Sequence, residues 1–484
     1  MRSILKVMLA ALVPMLTSVS ALSEVYSLDS CRSMAVRNNK AIKIADETIT
    51  GAGYARQASK AAYLPGVDFV GGYLFNQHKV SLLGEDAKLP TMTFDLATQK
   101  YVYNAVINPE TLQPVMDPST GMPVPLEVAV IPKEAMEFDT RNVFAGSVTL
   151  TQPVYMGGQI RAMNEITKYA EQIAVTQKDM AIQELVFGVD EAYWRVVSLQ
   201  QKRLLAESFI KVVDTLKRNV DAMVREGVAT KSDQLKVEVK LNEAQLALTK
   251  VDNGLSLSRM ALAQLCGLPV NSNMQVDDAN LNREDKTMPG VSVNMEGVYS
   301  LRPDLTALRH GIKLSESQAK LAMGDMLPKV ALVGSYAFSN PNVINGYEKR
   351  FGGGFSVGAT LTVPLWHWGA NYNKYRVAKS ATKVAELMLA DAEDKVQLQV
   401  NQARYSFEEA YKTYDMTVVN QRNADENLRQ AQLGFREGVL TTEDVIVAQT
   451  AWLAAHNEKI DAEIGIYLCR VYLSKVMGEL SVNY

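Results

Sequence analysis

The residues that could perform catalytic or metal chemistry are few in this 484-residue chain, and their spacing matches no catalytic motif. The glycine run Gly352-Gly353-Gly354 lacks the downstream Gly-Lys-Ser/Thr of a phosphate loop and opens a strand pattern rather than a helix, so it predicts a turn. No nucleophile elbow, paired-acid motif or zinc helix occurs. We therefore predict that the protein is not an enzyme and uses no cofactor or metal. The histidines, which share no ligand spacing, are His78, His310, His367 and His456.

Neither the cysteines nor the charge point to a binding site. Cys31, Cys266 and Cys469 are odd in number and widely separated, which predicts neither a disulfide framework nor a metal site. Cys31 lies beyond the place of a lipid-bearing cysteine, so we interpret it as a small buried thiol. With 21% charged residues and a formal net charge of −3, the composition indicates neither disorder nor a nucleic-acid partner.

The chain repeats itself at a fixed distance. Leu150-Thr151-Gln152-Pro153 returns as Leu361-Thr362-Val363-Pro364, 211 positions later. Arg225-Glu226-Gly227-Val228 returns at the same distance as Arg436-Glu437-Gly438-Val439. Upstream, Leu64-Pro65 returns 263 positions later as Leu327-Pro328. A duplicated unit of strand and long helix does not suit a fold with one catalytic cleft. It predicts two halves of a wall.

Four short segments alternate apolar and small polar residues with period two. This alternation suits an outer-membrane strand, with apolar side chains toward lipid, and it suits a half-buried soluble sheet equally well. Four strands cannot close a barrel, because the smallest outer-membrane barrels have about eight. In lipid an open sheet would leave unpaired edges, so other copies of the chain are expected to complete it. The segments are 67–76, 144–151, 330–339 and 355–363.

Prolines and aromatic residues mark the places where a strand pattern meets a helix pattern. Proline removes a ladder donor and restricts the preceding residue, so it fits the edge of a sheet and not its interior. Rings at a strand end are expected at a membrane–water interface, although a soluble core could also hold them. The prolines are Pro65, Pro153, Pro328 and Pro364, and the aromatic residues are Tyr155, Trp366 and Trp368.

The segment 77–141 holds seven of the chain's 16 prolines. Such a stretch cannot sustain a helix, and it predicts a long, irregular, exposed loop between the first two strands. The corresponding loop after Asn340 is about a dozen residues long. An insertion of this kind is tolerated at a surface turn.

Two long helical hairpins are predicted. Residues 158–226 contain no proline, and they predict a helix of roughly 100 Å with a coiled-coil seam of apolar residues. A second long helix is predicted at about 369–436. Each ends at a glycine, after which a threonine can cap a return helix that has an acid in its first turn. These residues are Gly227, Thr230 and Asp233 at the first tip and Gly438, Thr441 and Asp444 at the second.

Residues 1–23 predict a secretory signal. Arg2 and Lys6 form the basic start, a short apolar stretch follows, and small residues then offer a cleavage site. A membrane anchor is the alternative, but the apolar run is too short and ends in polar residues. No later stretch has ~18 consecutive apolar residues, so we expect entry into a membrane only as a β-barrel.

Together these features resemble the TolC family of outer-membrane efflux proteins over almost the entire mature chain. The specific parts are the duplication, the proline-bounded junctions and the Gly-x-x-Thr-x-x-Asp tips at 227–233 and 438–444. The opening stretch 28–42 and the stretch 301–305 are also similar to the family's first helix in each half.

The resemblance implies a mixed fold class, an all-α coiled-coil barrel plus a transmembrane β-barrel. A homotrimer would complete both, with three sets of four strands in one 12-stranded barrel and the helices in a periplasmic tunnel. The expected segments are a signal peptide 1–23, a periplasmic helix 24–63, a first strand pair 64–154 with an extracellular loop 77–141, a first helical hairpin 155–266, a connecting equatorial segment and helix 267–325, a second strand pair 326–366 and a second helical hairpin 367–484. Shorter helices are thus expected at about 28–62 and 293–325, before the strand pairs.

The resemblance also implies the function of a passive outer-membrane channel. An inner-membrane transporter would supply the energy, and a periplasmic membrane-fusion adaptor protein would dock on the hairpin tips. The family's closed-state ion pairs are not expected intact, because Val447 and Leu440 stand where members carry an acid and an arginine. The docking residues are Gly227, Val228, Thr230, Gly438, Val439 and Thr441, and the gate candidates are Asp444, Asp233 and Glu443.

Two other functions stay open from the sequence. The exit duct of a type I protein-secretion system would use the same architecture, and nothing in the sequence separates it from drug or metal efflux. A trimeric surface adhesin, with the 77–141 loop carried on a coiled-coil stalk, is the second. The matched hairpin tips argue against it, because a stalk needs no return helix.

Overall fold

The computed structural model describes residues 25–272, 274–277, 293–344 and 346–480. The chain divides into two compact units. The first is mainly helical and consists of Met1–Ser59, Arg161–Lys320 and Asn373–Tyr484. The second consists of Lys60–Ile160 and Leu321–Tyr372, and it contains most of the strands. The predicted signal peptide at 1–23 lies outside the described residues.

Eight α-helices occur among the described residues: α1 (Leu28–Asn38), α2 (Lys40–Ala61), α3 (Gln159–Arg225), α4 (Lys231–Leu265), α5 (Met295–Leu301), α6 (Pro303–Met323), α7 (Ala370–Arg436) and α8 (Thr442–Val476). Helices α3 and α7 have 67 residues each, and α4 and α8 have 35 each. Both pairs are offset by the same 211 positions as the sequence repeat. At 1.5 Å per residue, the longer helices measure about 100 Å.

Twelve β-strands occur among the described residues: β1 (Val25–Tyr26), β2 (Gly66–Phe75), β3 (Val80–Ser81), β4 (Ala87–Pro90), β5 (Met92–Asp95), β6 (Lys100–Tyr103), β7 (Val128–Ile131), β8 (Glu137–Phe138), β9 (Asn142–Met156), β10 (Gln275–Val276), β11 (Lys329–Asn340) and β12 (Gly352–Thr362). The largest sheet has the order β12-β11-β9-β2, and all its neighbours are antiparallel. Strands β2 and β12 are its edges.

The register of this sheet separates its two faces. Because successive side chains point to opposite faces, residues that are paired across the strands share a face. One row is aromatic and aliphatic, and the adjacent row is small and polar. The first row is Phe69, Val148, Tyr336 and Phe355, and the second is Asp68, Thr149, Ser335 and Ser356. All ten residues of β2 are exposed.

Pro153 lies inside a strand, which corrects its predicted place at a strand end. Strand β9 continues to Met156, and its pairing with β11 shifts at Val154, where a bulge separates the Val330–Tyr155 and Ala331–Pro153 pairs. Pairing of β9 with β2 ends at Thr151. Beyond Thr151 the strand has a neighbour on one side only. A proline is tolerated there because no ladder hydrogen bond is made on the open side of the strand, so an N–H on that side is not needed.

The segment 77–141 is not the irregular loop that its prolines predicted. It folds into short antiparallel ladders, in which β3 pairs with β8, β4 with β7 and β5 with β6. Isolated bridges continue this pattern and involve Pro114, Pro123 and Pro125. Proline does exclude an α-helix here. It remains compatible with the turns and edges of two-stranded ladders, because only one side of each strand must donate.

The two stretches predicted as single helices before the strand pairs are interrupted. Between α1 and α2, Asn39 has an extended backbone, and its Oδ1 accepts a hydrogen bond from the Ala41 N–H at 2.8 Å. Between α5 and α6, Arg302 is extended, a conformation favoured by the proline that follows it. In each case a new helix begins after a local stop.

The helical unit is held together by apolar clusters between its helices. Near the centre of α3, the Trp194 ring stacks on the Tyr467 ring of α8 with centroids 4.1 Å apart. Nearer the C-terminal end of α3, the buried residues of the predicted coiled-coil seam, such as Phe209 and Val213, pack with Phe435 of α7. Among the described residues, no helix is both long enough and apolar enough to cross a membrane.

Candidate functional site

The first structural feature of the hairpin tips is the shared way in which α3 and α7 end. Gly227 and Gly438 have φ angles of 75° and 73°, a left-handed conformation that glycine adopts without steric cost. The N–H of Val228 donates to the Met223 carbonyl, and that of Val439 to the Gly434 carbonyl, both at 2.8 Å. These bonds form Schellman motifs, which satisfy carbonyls that a helix end leaves open.

The return helices begin with identical capping boxes. The hydroxyl oxygen of Thr230 accepts from the Asp233 N–H at 3.2 Å, and the Asp233 carboxylate accepts from the Thr230 N–H at 3.1 Å. The corresponding distances between Thr441 and Asp444 are 3.2 Å and 2.8 Å. Each box satisfies two N–H groups at the start of a helix. The threonine hydroxyls also donate to the two carboxylates, at 2.5 Å and 2.6 Å.

These hydrogen bonds favour the charged form of both carboxylates. Donation by the Thr441 hydroxyl, followed by the Thr441 backbone N–H, holds the pKa of Asp444 below its usual value. The Thr230 hydroxyl and N–H do the same to the pKa of Asp233. The structure thus places both predicted gate acids at the starts of their own helices, where the positive end of the helix dipole also stabilises negative charge.

Glu443 makes the contact that links the two tips. Its Oε2 lies 2.8 Å from the Lys236 Nζ on α4. The pKa of Lys236 is raised by this hydrogen bond and by the charge of Glu443. Both side chains are substantially exposed, at 46% for Lys236 and 69% for Glu443. Sequence reasoning missed Lys236, since it lies one turn beyond the repeated tip motif and only the packing of α4 beside α8 brings it close.

The two tips differ in one packing exchange. At the second tip the Leu440 side chain covers Gly434, whose added Cβ would lie 2.8 Å from the Leu440 Cδ1. The positions that correspond by the repeat at the first tip are occupied by Ala229 and Met223. At the first tip the large residue, Met223, is on the helix and the small one, Ala229, is in the turn. At the second tip the small residue, Gly434, is on the helix and the large one, Leu440, is in the turn.

The side chains that directly follow the two tip glycines are apolar and open to solvent. Val228 is 71% exposed and Val439 is 78% exposed. They occupy equivalent positions directly after the glycines that end α3 and α7. Each tip thus presents an exposed valine on a rigid turn next to a capped helix start.

The strand–helix junctions form a second predicted site, in the other compact unit. Pro65 and Pro328 directly precede β2 and β11, and Pro364 follows β12. Trp366 and Trp368 are 73% and 88% exposed, with ring centroids 5.9 Å apart. Tyr155, which is also exposed, lies on β9 beside the bulge.

Asp325 ties together the segments around these junctions, and no sequence motif singled it out. Its Oδ1 accepts a hydrogen bond from the Gln159 side chain at the start of α3, at 2.8 Å. Its backbone carbonyl accepts one from the Asn371 side chain at the start of α7, at 3.1 Å. The Lys329 Nζ lies 3.3 Å from the same carboxylate. Among the described residues there is no cluster of three or more histidine, cysteine, aspartate or glutamate side chains suited to a metal ion.

A protein-family model described as "Outer membrane efflux protein" matches residues 131–268 and 298–479. No curated protein sequence matches the chain. Solved structures with a similar fold include CusC, described as forming a transmembrane channel, with a TM-score of 0.71 at 12% identity, covering 93% of this chain and 91% of the other. The CmeC outer membrane channel of Campylobacter jejuni has a TM-score of 0.70 at 14% identity, covering 93% and 85%. The open MtrE outer membrane channel of Neisseria gonorrhoeae has a TM-score of 0.68 at 17% identity, covering 93% and 88%.

Proposed function

The chain belongs to the outer membrane efflux protein family, and we propose that it is the channel through which a tripartite efflux system releases its substrates outside the cell. It resides in the outer membrane and extends into the periplasm. The family is one of transport ducts and not of enzymes. Conduction through the chain is passive, and an inner-membrane transporter supplies the energy.

The two-faced sheet is the observation that carries the proposal. A row of Phe69, Val148, Tyr336 and Phe355 lies next to a row of Asp68, Thr149, Ser335 and Ser356. An outer-membrane strand needs this division, with the aromatic and aliphatic face against lipid and the small polar face toward water. Large exposed apolar patches on soluble proteins mark contact surfaces, and here outer-membrane lipid is the proposed contact.

The edges of the sheet support a homotrimer. Strands β2 and β12 each have a neighbour on one side only within the described chain. In a bilayer every backbone N–H and C=O needs a partner, so each edge must pair with a strand of another copy. Three copies give a 12-stranded transmembrane β-barrel, and the long helices of the three copies form the periplasmic tunnel.

The junction residues fit the boundary of the membrane. Trp366 and Trp368 are exposed at the end of β12, and Tyr155 at the end of β9. Amphipathic rings are favoured at the level of the lipid headgroups. With these rings at the periplasmic boundary, the 77–141 ladders lie at the opposite, extracellular ends of β2 and β9.

The hairpin tips are the proposed docking site for a periplasmic membrane-fusion adaptor protein. Val228 and Val439 present equivalent apolar side chains, and the turns beneath them are held by Schellman motifs and capping boxes. A pre-organised turn loses little conformational entropy when a partner binds. The two tips of each chain offer the adaptor related but unequal contacts, because Leu440 is larger than Ala229.

The gate is proposed at the same tips. Glu443 and Lys236 join α8 to α4, so a separation of the two hairpins would break their ion pair. Asp444 and Asp233 keep their charge through the capping boxes, and they would line the mouth. Adaptor docking would move the hairpins apart and open the channel.

Conductance and efflux together test this function. The purified protein, reconstituted in a planar lipid bilayer, is expected to form ion-conducting channels, and deleting its gene is expected to raise sensitivity to exported compounds. A variant that lacks the exposed ladders within 77–141 should still conduct. Absence of conductance from folded trimers would overturn the channel proposal. Loss of efflux only when the ladders are deleted would also overturn it and would favour an adhesin.

A further inference from the structure

Two of the three cysteines, which are 235 positions apart in the sequence, are brought together by the fold. The Cys266 Sγ lies 3.7 Å from the backbone carbonyl of Cys31, and both cysteines are free thiols in this structure. Both side chains are 0% exposed. Cys31 lies in the first turns of α1, and Cys266 is the residue that ends α4.

Close contacts fix the backbone on both sides of Cys266 against the end of α1, the helix that carries Cys31. The Asn39 Nδ2 donates to the Leu265 carbonyl at 3.0 Å. Gly267 is pressed against Asn38, since an added Cβ would lie 2.5 Å from the Asn38 Cβ. These contacts hold the end of α1 against the end of α4, so the approach of the two thiols follows from the packing of two anchored segments.

The compartment decides what such a pair does. Thiols in the cytosol are kept reduced, whereas the bacterial periplasm keeps adjacent thiol pairs oxidised. We propose that Cys31 and Cys266 form a disulfide bond that joins α1 to the end of α4 in the mature protein. The inference goes beyond channel activity, although it requires that this helical unit lie in the periplasm.

The oxidation balances as a thiol–disulfide exchange with a periplasmic dithiol–disulfide oxidoreductase. A thiolate of the pair attacks the disulfide of that enzyme, which breaks its S–S bond and forms a mixed disulfide. The second cysteine, as a thiolate, then attacks the mixed disulfide. The Cys31–Cys266 bond forms, and the enzyme leaves as a dithiol, having accepted two electrons. The two protons lost by the cysteines are balanced by those on the new dithiol.

The order of events follows from burial. The Cys266 thiol next to it, together with burial, raises the pKa of Cys31, whereas the Cys31 thiol lowers the pKa of Cys266. Both thiols are 0% exposed, so an oxidoreductase cannot reach them once the helices have packed. Exchange therefore precedes the packing of α1, and once formed the buried bond is shielded from reductants. Cys469 packs in a separate apolar cluster, and it serves as an internal reference thiol.

Thiol counting tests the proposal on the intact protein. Protein from outer membranes is quenched in acid, denatured and reacted with a PEG-maleimide, with or without prior reduction. The chain has three cysteines, so one adduct is expected before reduction and three after it. Three adducts before reduction would overturn the proposal. A disulfide-linked dimer that still forms in Cys469→Ser would do the same, because only Cys31 and Cys266 could then link the two copies.

Two variants identify the partners. Cys469→Ser should show no adduct before reduction and two after it, which excludes Cys469 as a partner. Cys266→Ser should show two adducts even before reduction, because Cys31 is then left free; a single adduct would contradict the pairing. Efflux measured on the same cells keeps the two proposals apart. Intact efflux together with three free thiols would overturn only the disulfide proposal. One free thiol without efflux would overturn only the proposed channel function.

Discussion

Arg32 and Asp190 form a two-pronged ion pair between α1 and the centre of α3. The Arg32 Nε lies 2.7 Å from the Asp190 Oδ1, and its Nη2 lies 2.5 Å from the Asp190 Oδ2. The Asp190 side chain is fully buried, whereas 22% of the Arg32 side chain is exposed. A buried carboxylate needs its partner, since losing one member leaves an uncompensated charge in the interior.

Removal of one member of this pair should destabilise the helical unit. We expect Arg32→Met to lower the free energy of unfolding by about 3–5 kcal/mol, because the Asp190 carboxylate is left buried and unpaired. The double variant Arg32→Met/Asp190→Leu should recover most of the loss. Thermal melting of the purified protein measures both. An Arg32→Met protein as stable as the parent would show that the pair contributes nothing.

The capping boxes predict a pH dependence at the hairpin tips. The pKa values of Asp233 and Asp444 are lower in the folded state, so their contribution is present at pH values above the unfolded pKa of about 3.9. It is lost as the pH falls through the lower folded values. Hydrogen exchange at the starts of α4 and α8, corrected for intrinsic rates, should show fraying only in acid. Asp444→Asn should remove this pH response at the start of α8 and leave α4 unchanged.

The Lys236–Glu443 pair predicts an effect on gating without one on stability. Exposed ion pairs contribute little to folding, so Lys236→Glu should leave the melting temperature nearly unchanged. Repulsion between the new glutamate and Glu443 should raise the fraction of time that reconstituted channels are open. The charge-swapped variant Lys236→Glu/Glu443→Lys should restore parental gating. Unchanged single-channel records for Lys236→Glu would remove this pair from the gate.

The exchange of sizes between the tips can be tested by converting one into the other. Gly434→Met should cost about 1–3 kcal/mol, because the new side chain overlaps Leu440. Adding Leu440→Ala reproduces the first tip's Met223 and Ala229, and it should recover the loss. Denaturant unfolding compares the variants. An additive, larger loss in the double variant would show that the two tips do not share this packing rule.

The buried side chain of Gln449 lowers the free energy of unfolding, and a substitution can remove this effect. Its side chain is 1% exposed, and neither its Nε2 nor its Oε1 has a hydrogen-bond partner among the described residues. Gln449→Met keeps the length of the side chain and removes the buried polar atoms, so we expect a gain of about 1 kcal/mol in unfolding free energy. The exposed Gln430→Met is the control and should change little. A destabilised Gln449→Met would indicate a partner such as a buried water.

The sequence by itself determined that the chain contains two copies of one structural unit. It also determined the family to which the chain belongs. The 211-residue repeat reappears in the equal lengths of α3 and α7 and of α4 and α8, because helix starts and stops depend on neighbours within a few residues. The helix ends at Gly227 and Gly438 and the helix starts at Thr230 and Thr441 could therefore be predicted from the sequence. The resemblance to outer-membrane efflux proteins, drawn from these local motifs, is confirmed by the family match.

Only the tertiary structure decided which distant residues meet. Lys236 finds Glu443, Arg32 finds Asp190, and Cys266 finds Cys31, although no spacing in the sequence connects them. The strand bulge that admits Pro153 and the short ladders in 77–141 depend on pairing partners in the same way. Local chemistry specifies where an element begins and ends. Contacts between elements depend on their packed register, which the sequence of one element does not contain.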